Sequence, residues 1–129
     1  FNYVPIISLN VINRSLMVAI NYIEHSEFYI GLSSGMSWVA HALGKPVCMI
    51  ANFLNEHNEF ELGIDDYLRI TDKSVCNDCW YSNEFNSGDW YWCPKHQNTE
   101  REFECHKVIT PERVMQELKN HPKFKTLLP

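Results

Sequence analysis

Four of the five cysteines in the chain fall within thirty residues, at Cys76, Cys79, Cys93 and Cys105. The first two are separated by two residues, a spacing that lets both thiolates bind one ion from a single tight turn, and a second pair completes a tetrahedron. Four protein ligands leave no open position for water or substrate, so such a site would be structural. The sequence therefore predicts a metal-binding loop, which we place at residues 72–108.

Two other states of these cysteines stay open on the sequence, namely two disulfides or unpaired thiols. Disulfides are less favoured, because a chain of 129 residues with 45% hydrophobic residues can bury a core without them and no secretory signal precedes them. His96 could replace one thiolate, although four cysteines already suffice. The spacing does not distinguish zinc from iron. Cys48 stands in an apolar run and is expected to be a small buried hydrophobe.

Composition limits the possible partners. A net charge of −5 and a pI near 5.6 argue against binding to nucleic acid, which requires a basic face. No apolar stretch approaches the length of a membrane span. The length predicts one domain, residues 1–129, and the first residue, Phe1, begins an extended apolar run rather than a typical start. We therefore expect the chain to be a piece of a longer protein.

The first half of the chain alternates strand and helix patterns. Apolar runs predict strands at residues 4–12, 28–32 and 47–51. Between them, Ser15 can cap a first helix and a second helix starts at Met36, ending at Gly44-Lys45-Pro46. The apolar faces of these helices are formed by Leu16, Ala19, Ile20 and Ile23 and by Val39, Ala40 and Leu43. This order predicts an α/β fold with a Rossmann-like parallel sheet, half of a doubly wound domain.

The end of the chain predicts one more helix. Thr110 is a good cap ahead of Pro111, and the helix should end near His121-Pro122. Its apolar side is formed by Val114, Met115 and Leu118. The tail, residues 123–129, is expected to add a further turn.

Ligands of parallel sheets bind beyond the carboxyl ends of the strands. The sequence places Asn13-Arg14-Ser15, Ser33-Ser34-Gly35 and residues 52–55 on this rim. The hydroxyls of Ser33 and Ser34, with Gly35 and the free N–H groups of the second helix, favour a phosphate. The same turn is equally typical of a capped helix without a ligand. Arg14 could contact a phosphate or a ribose, although a solvated arginine is more common.

These residues carry a family resemblance. Residues 28–47 (FYIGLSSGMSWVAHALGKPV) resemble the Asp-Thr-Gly-Leu-x-His-Leu-Ala-x-Ala-Leu-Gly-x-Pro segment of ADP-heptose-dependent glycosyltransferases. Four further segments make the chain similar to the bacterial autotransporter heptosyltransferases, in which a four-cysteine iron site is a characteristic insertion. These segments are residues 58–60 (NEF), 76–80 (CNDCW), 88–94 (GDWYWCP) and 102–105 (EFEC).

The resemblance implies the carboxyl-terminal lobe of a GT-B glycosyltransferase. That enzyme would transfer heptose from ADP-heptose to serines of an autotransporter adhesin in the bacterial cytoplasm, as a homo-oligomer. By position, Ser33, Ser34 and Gly35 would face the sugar and diphosphate, Arg14 would contact the donor, and the four cysteines would hold Fe³⁺, with Zn²⁺ as the alternative. Ser33 replaces the family aspartate and Trp38 replaces its histidine, so the sugar preference can differ.

No catalytic base is assigned within the chain. In this family the base belongs to the amino-terminal lobe, and the acidic residues Glu56, Glu59, Glu61, Asp65 and Asp66 are interpreted as a solvated loop. Trp80, Trp90 and Trp92 are expected to shield the metal site. Two other functions stay open: a lobe that binds another nucleotide sugar, and a non-enzymatic, metal-stapled protein-interaction module.

Overall fold

A computed structural model of the chain describes residues 15–53, 66–83, 86, 88 and 93–129. Its helices are α1 (Leu16–Glu24), α2 (Gly35–Ala42), α3 (Glu104–Lys107) and α4 (Pro111–Asn120), and its strands are β1 (Tyr29–Leu32), β2 (Val47–Ile50) and β3 (Tyr67–Ile70). Single 3-10 turns span Cys79–Tyr81 and Phe124–Thr126. The strand expected at residues 4–12, Arg14, Trp90, Trp92 and most of the acidic loop lie outside the described residues.

The three strands form a parallel sheet in the order β1-β2-β3. Tyr29 pairs with Val47 and Val47 pairs with Tyr67, so neighbouring strands run in the same direction. The strands expected at residues 28–32 and 47–51 are therefore confirmed, as is the helix between them. The third strand, β3, was not predicted, because Arg69 interrupts its apolar pattern and it follows residues that were interpreted as a solvated loop.

Strand β2 lies in the middle of this sheet and has apolar side chains on both faces, as expected for a central parallel strand. On one face, Val47, Met49 and Ala51 pack with Ile23 and Ala40 of the first two helices. On the other face, Cys48 packs in a cluster with Ile70, Val114, Leu118 and Phe124. The sheet is thus covered by α1 and α2 on one side and by α4 and the final turn on the other. Cys48 is fully buried, as predicted, and burial raises the pKa of its thiol to about 12.

The predicted helix caps are confirmed. Ser15 accepts a hydrogen bond from the Val18 N–H at 3.4 Å, and Thr110 accepts one from the Arg113 N–H at 3.3 Å. The predicted apolar faces were too wide. Leu16 is 58% exposed and Met115 is 42% exposed, because the buried contacts of α1 and α4 are made by residues four positions apart, Ala19 with Ile23 and Val114 with Leu118. Within the described residues, no helix combines the length and apolar character that a bilayer crossing requires.

Candidate functional site

The turn at residues 33–35 lies at the carboxyl end of β1, where α2 begins. The Ser37 hydroxyl donates to the Leu32 carbonyl at 2.7 Å, and the Ser37 N–H bonds the Ser34 carbonyl at 3.1 Å. These two bonds tie the first turn of α2 to the end of β1. The Ser34 side chain makes no hydrogen bond to the helix, although Ser34 is the N-cap. A Cβ built at Gly35 would have no neighbour within 4 Å, so the approach to these helix N–H groups is open.

The hydroxyl oxygen of Ser33 is buried and has no hydrogen-bond partner among the described residues. A buried hydroxyl without a partner loses the hydrogen bonds that it makes in water, which costs roughly 1–3 kcal/mol. Ser33 also lines a cavity of about 250 Å³. Ser33 therefore lies beside the space that a polar ligand group would enter.

Tyr29 begins β1, and its hydroxyl reaches the turn at the other end of the strand, a contact that the sequence did not single out. A Cβ at Gly31 would lie only 2.5 Å from the Tyr29 hydroxyl oxygen, so the absence of a side chain at Gly31 lets the ring lie along β1. Hydrogen bonds of the hydroxyl involve Ser34 and Ser37. Burial raises the pKa of Tyr29, and these two bonds oppose that rise. The Tyr-x-Gly spacing, which places both residues on one face of the strand, was the available signal.

The cavity next to Ser33 also reaches the cysteine segment. Its wall includes Asn52 and Phe53, which follow β2, and also Cys79, Cys93 and Cys105. The structure thus joins two sites that the sequence treated separately, the strand-end rim and the predicted metal loop. Arg14, the fourth residue predicted to contact the donor, lies outside the described residues.

All five cysteines of the chain are free, so the structure contains neither of the disulfides considered above. Cys79, Cys93 and Cys105 are at most 6% exposed, and Cys76 is half-buried. Burial, followed by the neighbouring Cys76, raises the pKa of Cys79 to about 11, and Cys105 and Cys93 add to this rise. Burial, followed by Cys76 and then Cys93, raises the pKa of Cys105 to about 11. These effects place the cysteine side chains in one region of the protein.

Within the described residues, Cys76, His96 and Glu104 offer ligand atoms that all lie within 4.8 Å of one another. Glu104 is already engaged, because Arg101 donates to both of its carboxylate oxygens, at 2.8 and 2.6 Å. The pKa of Glu104 is lowered, first by Arg101 and further by the backbone N–H of Cys76. The Nε2 atom of His96 lies 3.6 Å from the same carboxylate, and its side chain is 19% exposed. Glu104 therefore connects Cys76 to the helical turn that carries Cys105.

Soft, free and mostly buried thiols are donors that suit iron or zinc. In the described residues, however, the ligand atoms that lie within 4.8 Å of one another come from Cys76, His96 and Glu104 rather than from cysteines alone. The four-cysteine site therefore stays a prediction. Burial and neighbouring thiols raise the pKa values of Cys79 and Cys105, and a bound cation would oppose this rise because it favours thiolates. Of the acidic residues interpreted as a solvated loop, the structure describes Asp66, which forms an ion pair with Lys123 at 3.0 Å.

Comparisons with known proteins find that the chain is similar to part of several heptosyltransferases. No protein-family profile matches the chain. It is 41% identical over 101 residues to the autotransporter heptosyltransferase BAHTCr of Citrobacter rodentium, covering 77% of this chain and 24% of the relative. It is 32% identical over 103 residues to the inactive autotransporter heptosyltransferase BimC of Burkholderia thailandensis, covering 78% of this chain and 23% of that protein.

A solved structure is also similar. It is the dodecameric iron-containing heptosyltransferase TibC of Escherichia coli in complex with ADP-D-β-D-heptose, with a TM-score of 0.72 and 34% identity. The match covers 88% of this chain and 30% of TibC. The chain spans about a quarter of the length of the curated relatives that it matches. Over that segment, the chain is a relative of the autotransporter heptosyltransferases.

Proposed function

We propose that the chain is the carboxyl-terminal, donor-binding lobe of a protein O-heptosyltransferase. The enzyme would transfer heptose from ADP-heptose to serine hydroxyls of an autotransporter adhesin in the bacterial cytoplasm, and it would act as a homo-oligomer. Support comes from the heptosyltransferase relatives and from TibC, which is described as dodecameric and in complex with ADP-heptose.

The single observation that carries this proposal is the unpartnered Ser33 hydroxyl in the cavity beyond β1 and β2. A nucleotide sugar supplies hydroxyl and phosphate oxygens that such a group can bond. Ser34 and Gly35 begin α2, whose free N–H groups and helix dipole favour the diphosphate. Arg14 is proposed as a further contact to the donor. These groups would bind and orient the donor and stabilise the diphosphate as it leaves.

A different donor sugar is the second candidate. The family aspartate would accept two strong hydrogen bonds from sugar hydroxyls, whereas the hydroxyl at Ser33 is neutral and smaller. The heptose contacts must then be redistributed, or the site prefers another nucleotide sugar. The rest of the proposed site is the open first turn of α2. This turn recognises the diphosphate, so its contribution does not depend on which sugar is attached.

For the metal, we propose that Cys76, Cys79, Cys93 and Cys105 hold Fe³⁺, with Zn²⁺ as the alternative. The fit rests on four free thiols that influence one another in a mostly buried setting, and TibC is described as iron-containing. Such an ion supplies the charge that stabilises the thiolates and fixes the segment, with no part in the transfer reaction. His96 and Glu104 would then lie at the edge of the site and hold its ligands in position, without binding the metal themselves.

The reaction also needs a base that deprotonates the serine acceptor. We propose that the base belongs to the part of the enzyme that this chain does not include, so the chain by itself should show no heptose transfer. The inactive relative BimC shares the segment, which favours binding rather than catalysis as the contribution of these residues. A non-enzymatic interaction module is the remaining alternative.

Calorimetric titration of the chain with ADP-heptose, ADP and a panel of nucleotide sugars tests the proposal. We expect ADP-heptose to bind, and Ser33→Ala to weaken this binding about 3- to 10-fold through the loss of one hydrogen bond. Ser26→Ala is the matched control, because the Ser26 hydroxyl bonds the Ile23 carbonyl at 2.8 Å before β1 begins. Preference for another sugar would select the second candidate. No binding of any nucleotide, together with tight association with a protein, would favour the interaction module and contradict the proposal.

A further inference from the structure

Asn52 is a buried polar residue that directly follows β2, and it is only 3% exposed. Its side-chain nitrogen donates to the Cys105 carbonyl at 2.5 Å. Its side-chain oxygen accepts from the Asp72 N–H at 2.7 Å. Both ends of one amide are therefore bonded to backbone groups of the cysteine segment, 53 and 20 residues away along the chain.

The backbone of the same residue makes a third link. The Asn52 carbonyl accepts from the Asp78 N–H at 3.1 Å, and the next carbonyl, that of Phe53, accepts from the Trp80 N–H at 3.3 Å. These bonds hold the Cys-x-x-Cys knuckle against the end of β2. Asp78 lies inside the knuckle with a φ of 63°, a left-handed conformation that is strained for a residue other than glycine. External hydrogen bonds of this kind are what keep such a conformation in place.

The three links reach both halves of the cysteine set. Asp72 and Asp78 flank or lie within the first pair, Cys76 and Cys79, while Cys105 belongs to the second pair. An amide suits the position because it presents one donor and one acceptor in fixed directions. A carboxylate at the same place would turn an acceptor toward the Cys105 carbonyl, and alanine would leave that carbonyl and the Asp72 N–H unpaired.

We infer that Asn52 is a positioning residue for the cysteine centre, fixing Cys105 relative to the Cys76–Cys79 knuckle and joining both to the carboxyl edge of the sheet. The inference rests on the proposed metal-binding role of the cysteines. Because Asn52 also lines the cavity that Ser33 faces, it connects the metal centre to the proposed donor site. The order of the cavity wall then depends on the metal.

Metal release from the chain tests this inference. The chain is loaded with iron, and the decay of the iron–thiolate absorption is followed after a chelator is added. Asn52→Ala is expected to speed release about 10- to 100-fold, the range typical of residues that orient metal ligands. Ser37→Ala is the matched control, since Ser37 is buried at the same sheet edge and bonds a carbonyl, but that carbonyl belongs to Leu32. Its release rate should equal that of the unmodified chain.

A second measurement needs no variant and applies even if Asn52→Ala does not fold. Amide hydrogen exchange of the unmodified chain is compared with and without chelator. The Asp72 and Asp78 N–H groups should lose protection when the metal is removed, while the N–H groups of β2 keep theirs. The inference is overturned if Asn52→Ala and Ser37→Ala release metal at equal rates. It is also overturned if the protection of the Asp72 and Asp78 amides does not change when the chelator is added. A chain that takes up no metal also overturns it, and that result separately contradicts the proposed metal site while leaving donor binding testable.

Discussion

The parallel sheet unit and the cysteine segment are held together in different ways. In the sheet unit, β2 is buried on both faces by apolar side chains, and two helices begin at side-chain caps. In the described part of residues 72–108, regular structure is limited to one 3-10 turn and the four-residue helix α3. Buried residues there are cysteines, namely Cys79, Cys93 and Cys105.

This difference shows what each region needs in order to fold. Apolar burial is non-directional and tolerates many sequences, whereas a segment with few regular elements must satisfy its backbone groups one by one. In the cysteine segment this is done by Asn52, by Asn77, which bonds the carbonyls of Asp72 and Val75, and by the Glu104 carboxylate, which accepts from the Cys76 N–H. We expect such a segment to depend on its metal, and the sheet unit to be largely indifferent to it.

The largest expected effect is on metal affinity, and it should differ between variants of two buried cysteines, Cys79 and Cys48. Cys79→Ser should lower metal affinity by more than about 100-fold, because one thiolate ligand is lost. Cys48→Ala should leave the metal content unchanged and lower the free energy of unfolding by about 1 kcal/mol, because Cys48 is an apolar core residue of the sheet. Metal content by elemental analysis and denaturant unfolding measure the two effects. Equal metal content in both variants would remove the distinction between the two regions.

Truncation in the core of the sheet unit should give the next largest effect. Phe124 is fully buried and packs edge-on against Phe28, with ring centroids 5.4 Å apart. Phe124→Ala should lower the free energy of unfolding by about 3–5 kcal/mol, as cavity-forming substitutions do. Met115→Ala, at an exposed position of α4, should change it by less than about 0.5 kcal/mol. Urea unfolding measures both, and a comparable loss in the two variants would place the core elsewhere.

Removal of a helix cap in the sheet unit should lower the free energy of unfolding by a smaller amount. Thr110→Ala removes the acceptor for the Arg113 N–H and should lower the free energy of unfolding by about 1 kcal/mol. Thr110→Ser keeps a hydroxyl at the cap and should recover most of this loss. Thermal unfolding followed by circular dichroism compares the three proteins. The account of α4 is wrong if alanine and serine destabilise the protein equally.

Low pH should destabilise the protein through Asp72, which lies at the boundary between the sheet unit and the cysteine segment. Hydrogen bonds from Ser74, then from Arg113, lower the pKa of Asp72 from 3.8 to about 2. Since the unfolded chain binds this proton at higher pH, the stabilisation is complete above about pH 4 and is lost as the pH falls toward about 2. Asp72→Asn should therefore reduce the acid dependence of the urea midpoint across that window. An unchanged dependence would mean that other carboxylates cause it.

The sequence predicted the sheet unit well for a physical reason. Apolar runs at residues 28–32 and 47–51, and the caps Ser15 and Thr110, are local signals of local structure. Strand β3 was missed because Tyr67 to Ile70 offers only four residues of weak pattern, and its place is fixed by pairing with β2. The exposure of Leu16 and Met115 was not predicted, because hydrophobic periodicity does not show how wide the buried face of a helix is.

The candidate site was less predictable. Cysteine spacing predicted a metal-binding loop, and the structure brings Cys79, Cys93 and Cys105 of that loop to the same cavity as Ser33. The position of the cysteine segment beside Ser33 depends on hydrogen bonds such as the one between Asn52 and Cys105. These bonds join residues that are far apart in sequence, so they leave no periodic signal. The roles of Tyr29 and Glu104 likewise depend on tertiary contacts with Ser34, Ser37 and Cys76.

The most direct test of the central claim is the metal content of the chain purified without added metal, measured by elemental analysis together with its absorption spectrum and its count of reactive thiols. We predict about one iron per chain, a coloured sample with ferric–thiolate absorption, and thiols that become reactive only after the metal is removed. One zinc per chain with a colourless sample would keep the site and change the ion. A chain with no bound metal, whose four clustered thiols react freely or join in disulfides, would contradict the account.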